Sequence, residues 1–173
     1  QNGQETLIPN PEAYGPCWLV KNVKLVSDAA TELQTIGHTD LKDTAVVQAA
    51  NATNLVQPQW DSTASISLVK YDNDEIEYSS SASTPQFAVF SEVYYDMGWN
   101  VYVDGQKSNY VKTNYALRGM SLPAGKHSIK FVFEPESVKK GTSLSFIGSI
   151  LVLLLTLGGL FMNWRQSRQT QQA

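Results

Sequence analysis

The N-terminal part of the chain changes periodicity twice, from a run of β-forming residues to a helical pattern and back. Residues 18–26 predict a strand, since β-branched and aromatic residues are frequent there. The pair Ser27-Asp28 can cap a helix whose apolar residues recur at helical spacing, namely Ala29, Ala30, Leu33 and Ile36. Gly37 is expected to end this helix in the left-handed conformation. Residues 44–47 predict a second strand, so we expect residues 1–50 to form a strand–helix–strand unit.

From residue 62 onward, apolar and polar residues alternate, which is the period of a strand with one face toward a core. The strongest β-forming run is residues 87–95. Asp104-Gly105 predicts a tight hairpin, and Pro123-Ala124-Gly125 predicts a turn between the last two strands. About seven or eight short strands with turns every eight to twelve residues are typical of a β-sandwich. We therefore predict a mainly β fold, with an antiparallel, jelly-roll-like β-sandwich over residues 60–136.

The third pattern is an unbroken apolar run over residues 144–162, without a charged residue or a proline. At about 1.5 Å per residue this run spans roughly 28 Å, close to the thickness of a bilayer core. Its hydroxyl groups can bond to backbone carbonyls one turn earlier; they belong to Ser145, Ser149 and Thr156. We predict a transmembrane helix over residues 143–163, with a buried helix of a soluble core as the alternative. The basic tail, residues 164–173, has no acidic residue and is therefore expected to be cytoplasmic.

Composition and charge narrow the classes of function. Hydrophobic residues make up 42% of the 173 residues, charged residues make up 17%, and the net charge is −3. Because the chain has no excess of cations to neutralise phosphates, nucleic acid is not an expected partner. Cys17 is the only cysteine, which excludes an internal disulfide and zinc sites with several cysteines. All sixteen carboxylates precede the apolar run, so residues 1–140 are expected to form a mildly acidic, water-soluble domain.

The chain begins at Gln1 without the basic and apolar segments that form a signal peptide. A domain attached to a C-terminal membrane span, but lacking its own start, is expected to be a piece of a longer protein. We therefore expect the missing part to lie upstream.

Several segments resemble the YfhO-type family of bacterial membrane proteins. Toward the C-terminus these are FSEVYYDMGWNVYVDG and NYALRGMSLPAGKHSIKFVFEP, followed by the apolar run. The N-terminal segment NPEAYGPCWLVKNVKLVSDAATEL, followed by DTAVV, resembles the version of the family in Bacteroidetes-like bacteria. The resemblance covers nearly the whole chain apart from residues 51–83, and the combination of segments is specific.

The resemblance implies a large polytopic protein of the GT-C glycosyltransferase type, which moves sugars from a lipid-phosphate donor to an acceptor outside the cytoplasmic membrane. In such proteins the catalytic acid lies in an early loop between membrane helices. None of those helices is in this sequence, so no catalytic residue is carried over, and no metal or cofactor is predicted. The β domain is then extracytoplasmic, at the bacterial inner membrane. The implied partners are the lipid bilayer, the upstream membrane helices of the same polypeptide, and a glycan or polyprenyl-phosphate-sugar.

Candidate glycan contacts lie around one turn, at Glu92, Tyr94, Tyr95 and Trp99. Exposed aromatic rings can stack on sugar faces, and a nearby carboxylate accepts hydrogen bonds from hydroxyl groups. The alternative is that Tyr94 and Trp99 fill the sandwich core and that Glu92 is a solvated charge at a strand edge.

Two further candidates, Arg118 and His127, lie on either side of the Pro-Ala-Gly turn. Together they are suited to hold a phosphate or a sugar acid, because both side chains can donate hydrogen bonds to an anion. The alternative is that Arg118 pairs with a local carboxylate and that His127 has a structural role.

Two functions from different classes follow. The first is an accessory extracytoplasmic domain of a membrane glycosyltransferase acting on cell-envelope glycans, which positions an acceptor or braces the catalytic loops. The second is a non-enzymatic adhesion or sensing module, in which a β-sandwich is anchored by one helix. Many membrane spans upstream in the gene would favour the first, whereas a signal peptide directly upstream would favour the second.

Overall fold

The structure is a computed structural model that describes residue 10 and residues 13–170, except for the side chains of residues 139 and 162–170. The chain divides into two compact units, Gln1–Phe133 and Glu134–Ala173. Within the described residues, the first unit has eleven strands and one α-helix, and the second has one long α-helix. The predicted mainly β fold, with a strand–helix–strand section and a C-terminal apolar helix, is confirmed.

The helices are α1 (Ala29–Ile36) and α2 (Glu136–Thr170), and residues Ala49–Asn51 form a single 3₁₀ turn. The strands, in chain order, are β1 (Cys17–Val20), β2 (Asn22–Val26), β3 (Thr44–Gln48), β4 (Ser65–Tyr71), β5 (Glu75–Ala82), β6 (Gln86–Val93), β7 (Trp99–Val103), β8 (Gln106–Ser108), β9 (Val111–Thr113), β10 (Leu117–Leu122) and β11 (Gly125–Phe133).

Two antiparallel sheets form the sandwich. Sheet I has the strand order β1-β6-β10-β9, and sheet II has the order β4-β5-β11-β7-β8. Inward side chains from both sheets share one core, which is built from Cys17, Ile76, Tyr78, Ala88, Phe90, Val101, Met120, Leu122, Ile129 and Phe131. Within the described part of the chain neither sheet closes into a barrel. The predicted β-sandwich is therefore confirmed, with β1 as an additional edge strand of sheet I.

Strand β6 lies in the interior of sheet I and is buried on both faces. Ala88 and Phe90 belong to the sandwich core, whereas Phe87 and Val89 belong to a second apolar cluster. The second cluster is completed by residues of β1, β2 and β3, namely Val20, Val23, Ala45 and Val47. A strand that is covered on both faces needs apolar residues at successive positions, which explains the unbroken run FAVF.

The predicted strand over residues 18–26 is divided at Lys21, and its two halves belong to different sheets. Strand β1 pairs with β6 in antiparallel orientation, whereas β2 pairs with β3 in parallel orientation. At the break, the backbone N–H groups of Lys21 and Asn22 donate to the carbonyl oxygen of Asp43 at 2.8 and 3.1 Å. The prediction of a single strand is wrong because β-propensity does not reveal where a strand changes its pairing partner.

Helix α1 confirms its predicted N-cap but not its predicted end. The Asp28 carboxylate accepts a hydrogen bond from the Thr31 N–H at 2.9 Å. Gly37 has φ −61° and ψ −15°, which is the right-handed region, so the expected left-handed cap is wrong. The Thr35 carbonyl instead accepts hydrogen bonds from the His38 N–H and from the Thr39 hydroxyl group. The last turn is therefore satisfied without a left-handed residue.

The predicted apolar stripe of α1 is also wrong, because Leu33 is exposed and the buried residue of the helix is Glu32. The Glu32 carboxylate accepts hydrogen bonds from the Gln48 side-chain amide at 2.7 Å and from the Tyr115 backbone N–H at 2.8 Å. Asn114 and Tyr115 both have positive φ, 48° and 68°. Charge-assisted hydrogen bonds to β3 and to the turn before β10 thus attach the helix.

The two predicted turns have different roles. Asp104 and Gly105 have φ of 51° and 79°, and they join the paired strands β7 and β8, so the predicted hairpin is confirmed. The Pro123-Ala124-Gly125 turn joins β10 of sheet I to β11 of sheet II. It therefore carries the chain between the two sheets and does not pair the strands that it connects.

The second unit consists of α2, and its segment Glu136–Phe161 is long and apolar enough to cross a membrane by length and composition. All side chains from residue 144 to residue 161 are exposed, which favours the transmembrane interpretation over a buried helix. The predicted hydroxyl bonds of Ser149 and Thr156 are confirmed, at 2.9 and 2.8 Å to the carbonyls four residues earlier. Helix α2 continues to Thr170, and the tail's side chains and its last three residues lie outside the described residues.

Gly119 in β10 lies where no side chain fits, and this gives a testable prediction. A Cβ atom there would lie 2.7 Å from Phe87 and 2.8 Å from Thr113, and both neighbours are fully buried. Gly119→Ala is therefore expected to lower the free energy of unfolding by about 1–3 kcal/mol. The measurement is urea unfolding of the full chain in detergent micelles, followed by tryptophan fluorescence.

Gly37→Ala is the matched control, because a Cβ there meets nothing closer than 3.5 Å. An alanine in the right-handed region should leave the free energy of unfolding unchanged or raise it slightly. Equal losses in the two variants would contradict the steric argument.

Candidate functional site

Four of the six candidate residues line one open cavity of about 420 Å³ in the first unit. Its wall consists of Asn73, Glu92, Val93, Tyr95, Trp99, Arg118 and Phe133. These residues come from β6, β7, β10 and β11 and from two turns, so both sheets contribute to the cavity. The volume lies within the range of about 300–1,000 Å³ that small-molecule sites usually have. We call this space the Arg118 cavity.

A β-bulge places the two charged residues of the cavity. Leu117 is opposite Val93 across β10 and β6, but the next residue of β10, Arg118, is opposite Phe90. Glu92 therefore lies in the extra segment of β6 that has no counterpart on β10. Bulges bend a strand and redirect side chains, and they are frequent beside functional sites.

Arg118 is 3% exposed, and its guanidinium lies among aromatic rings. Its central carbon is 4.4 Å from the centroid of Trp99, 5.2 Å from that of Phe131 and 5.9 Å from that of Tyr110. Cations are attracted to the negative face of an aromatic ring, and the attraction increases when water is excluded. The rings therefore stabilise a buried charge at this position and fix the orientation of the guanidinium.

One nitrogen of Arg118, Nη1, is buried and has no hydrogen-bond partner among the described residues. The Nε–H donates to the carbonyl oxygen of Val93 at 3.1 Å. Burial lowers the pKa of Arg118 from its usual value, whereas the charges of Tyr110 and Glu92 act in the opposite direction. A guanidinium still remains protonated at neutral pH. Arg118 thus keeps a charged donor that the described chain leaves unpaired.

The Tyr78 hydroxyl is a second buried polar group without a hydrogen-bond partner in the described chain. Its ring packs against Phe90 and Phe131 in the aromatic core, with centroids 4.7 and 6.2 Å apart. Burial raises the pKa of Tyr78, Glu92 raises it further, and Arg118 lowers it. The hydroxyl is therefore within electrostatic reach of both charges of the Arg118 cavity.

The two neighbouring tyrosines of the predicted site have different surroundings. Tyr94 is half-buried, and its ring packs against Tyr110 with the centroids 5.4 Å apart. Tyr95 is 46% exposed and lines the Arg118 cavity. Trp99 is half-buried between the core and the cavity wall, where it also packs against Phe133 at 5.3 Å. Trp99 thus packs against the sandwich core as the packing alternative expected, Tyr94 packs on Tyr110 and is not part of that core, and the ring of Tyr95 is exposed.

His127 lies on another cavity, of about 340 Å³, and not with Arg118. Its Nδ1 is 2.6 Å from the Asp104 carboxylate, and its Nε2 is 3.2 Å from the carbonyl oxygen of Ala124. The hydrogen bond with Asp104 raises the pKa of His127 and lowers the pKa of Asp104. With an acceptor beside each ring nitrogen, the imidazolium form fits this position best. The structure therefore separates the two residues that the anion-binding hypothesis joined.

The Asp104–His127 pair predicts a pH dependence of stability. Because the pKa of His127 is raised in the folded state, its protonation stabilises the fold. This contribution is complete below the unfolded value of about 6.5 and is lost as the pH rises through the folded pKa. Thermal unfolding of the full chain between about pH 6 and 9 measures the loss.

Asp104→Asn should remove this part of the pH dependence, and asparagine tolerates the φ of 51° at this position. His38→Gln is the control, since it removes the other histidine and leaves the pair intact. An unchanged slope in Asp104→Asn would show that the pair does not cause the pH dependence.

Sequence reasoning missed three residues of the Arg118 cavity, namely Asn73, Val93 and Phe133. Asn73 lies between Asp72 and Asp74, in a polar turn whose sequence gives no sign of a cavity, and Phe133 belongs to the alternating pattern of β11. These three residues line the cavity because the ends of their strands lie close together in the fold, and no local sequence signal predicts which strand ends are neighbours.

The sequence of most of the β unit and the start of α2 matches a known protein family. The family model of the bacterial membrane protein YfhO matches residues 30–145, which is well over half of the chain. The chain belongs to the YfhO family. No curated protein and no solved structure matches it.

The match in this YfhO-family chain begins in α1 and ends in the first turns of α2. It therefore includes all of sheet II, the strands β6, β10 and β9 of sheet I, and the whole Arg118 cavity, whereas β1 lies before the matched segment. Family membership and the apolar segment of α2 together indicate a membrane protein whose partner is the lipid bilayer.

Proposed function

We propose that this chain is the C-terminal accessory domain and last membrane span of a polytopic membrane protein that transfers sugars from a lipid-linked donor to cell-envelope glycans. The β unit is extracytoplasmic, α2 crosses the inner membrane, and residues 164–173 are cytoplasmic. The upstream membrane helices of the same polypeptide are its partners. Membership of the YfhO family and the apolar α2 support this proposal, and so do the cations Arg165 and Arg168 after the apolar run.

The observation that carries a carbohydrate-contact role is the composition of the Arg118 cavity. It combines an exposed ring, Tyr95, with the half-buried carboxylate of Glu92 and an unpaired, charged N–H of Arg118. Sugars present hydroxyl groups that both donate and accept hydrogen bonds, and they also present apolar C–H faces. In this role the domain holds the acceptor glycan or the sugar of the donor, and the bond-breaking step takes place elsewhere in the protein.

The binding test uses the full chain in lipid nanodiscs, with a panel of envelope oligosaccharides and a short-chain polyprenyl-phosphate-sugar. Arg118→Ala and Trp99→Ala should each weaken binding by about tenfold or more. His127→Gln is the matched control, because His127 lines a different cavity. Melting temperatures are measured in parallel, so that loss of binding is separated from loss of fold. Absence of binding to every ligand at millimolar concentration would show that the domain is a scaffold.

Sidedness is tested by cysteine labelling in intact cells. Cys17 is buried, so a Cys17→Ala background allows a single new cysteine to be labelled. Lys24→Cys, at an exposed position of β2, should react with a membrane-impermeant maleimide from outside. Ala173→Cys should react only after the cells are permeabilised. The reverse pattern would overturn the proposed orientation.

A further inference from the structure

We propose that the Arg118 cavity selects a neutral sugar with two adjacent free hydroxyl groups and discriminates against phosphates and uronic acids. This inference rests on the carbohydrate-contact function proposed above and specifies its ligand class. Three features carry it, namely one buried donor without a partner, one carboxylate that is not paired with it, and one exposed ring.

The first step concerns the two charges. Among the described residues, Arg118 and Glu92 line the same cavity but form neither an ion pair nor a hydrogen bond with each other. The Arg118 guanidinium can only donate, and the carboxylate of Glu92 can only accept. A hydroxyl group does both, so two hydroxyls on neighbouring ring carbons can accept from Arg118 and donate to Glu92. Such a pair of groups complements the cavity without any change in its charge.

The second step concerns the sign of the ligand's charge. Arg118 is the one cation among the described residues that line the cavity, and Glu92 balances it. A phosphate or a uronate would gain the attraction of Arg118, but it would also be repelled by Glu92 in a partly desolvated space. The Nε–H of Arg118 is already bonded to Val93, so the bidentate geometry through Nε that favours anions is unavailable.

The third step identifies the stacking surface. Arg118 occupies a face of Trp99 at 4.4 Å, and Phe133 packs against the same indole at 5.3 Å. Trp99 therefore supports the guanidinium and is a positioning residue. Tyr95 is 46% exposed, and no ring contact is found for it in the described chain. The C–H face of the sugar consequently packs on Tyr95.

The experiment compares four ligands of similar size on the full chain in zwitterionic nanodiscs, by ligand-observed NMR. They are methyl β-glucoside, its 3-deoxy analogue, methyl β-glucuronide and glucose 6-phosphate. The 3-deoxy analogue has no two adjacent free hydroxyls. The glucoside should bind at least about tenfold more tightly than each of the other three. Tyr95→Ala should weaken binding of the glucoside about tenfold. Glu92→Gln should abolish the preference for the glucoside over the glucuronide. Both substitutions are outside the fully buried core, so the variants should retain the fold.

The possible results separate this inference from the proposed function. Tighter binding of the glucuronide or of the phosphate, lost in Arg118→Ala, would overturn the inference and leave the carbohydrate-contact function in place. Equal binding of the glucoside and its 3-deoxy analogue would also overturn the inference. Failure of all four ligands, together with failure of the oligosaccharide and lipid-linked panel, would overturn the proposed function itself.

Discussion

Phe131→Ala is expected to lower the free energy of unfolding by about 3–5 kcal/mol. The Phe131 ring is fully buried, and its centroid lies 5.0 Å from that of Phe90 and 5.4 Å from that of Tyr110. Both contacts are edge-to-face, at 72° and 78°, which is a favourable arrangement for aromatic pairs. Because sheet I and sheet II contribute different members of this group, the cavity left by the truncation would lie in the middle of the sandwich. Urea unfolding of the full chain in detergent micelles measures the loss.

Phe133→Ala is the matched control on the same face of β11. Phe133 is 38% exposed and packs mainly against Trp99, so its loss should cost only about 1 kcal/mol. Phe131→Leu, which fills part of the space, should lie between the two. A loss as large in Phe133→Ala as in Phe131→Ala would show that the core is not centred where the structure places it.

The local pattern of apolar, polar and turn residues was enough to predict the strands of the sandwich, but not which strands pair with each other. The alternation in β4 and β11 and the Asp104-Gly105 hairpin depend on neighbouring residues, and the structure confirms them. The division at Lys21 depends on Asp43, which is more than twenty residues away and accepts the hydrogen bonds at the break. A pattern of propensities contains no information about such a partner.

The candidate site could be predicted only where its members are close in sequence. Glu92, Tyr95 and Trp99 surround one turn, and the structure brings them to one cavity. Arg118 joins them because a bulge in sheet I redirects it, whereas His127 lies beyond a turn that crosses to sheet II. The hypothesis that Arg118 and His127 bind one anion together assumed that two residues on either side of a turn face the same site. That assumption fails when the turn connects two sheets.

The α1 interpretation failed for a different reason. Spacing of apolar residues predicts a buried stripe, but α1 is short and its apolar residues Ala29, Ala30 and Leu33 are exposed. Glu32 is fully buried, where a charge is costly unless it is hydrogen-bonded. One of the two hydrogen-bond donors to the Glu32 carboxylate is the Tyr115 N–H. It belongs to the left-handed turn at Asn114 and Tyr115, which is remote from Glu32 in sequence. A buried carboxylate cannot be recognised without its partners.

Glu32→Ala is therefore expected to lower the free energy of unfolding by about 2–4 kcal/mol, since hydrogen bonds to charged groups contribute about 1.5–3 kcal/mol each. Two donors lose their acceptor, the side-chain amide of Gln48 and the backbone N–H of Tyr115. The same turn also bonds to β3, because the Val46 N–H donates to the Asn114 side-chain oxygen at 2.8 Å. Amide hydrogen exchange of Tyr115 should increase together with the loss of stability.

Glu32→Gln separates the charge from the geometry at this position. A glutamine keeps an oxygen for the Tyr115 N–H, and Gln48 can rotate its amide to face the new NH₂ group. Its cost should therefore be about 1 kcal/mol, well below that of Glu32→Ala. If the alanine variant were as stable as the glutamine variant, the two hydrogen bonds would not attach α1. The helix would then be held by its other contacts with β2 and β3.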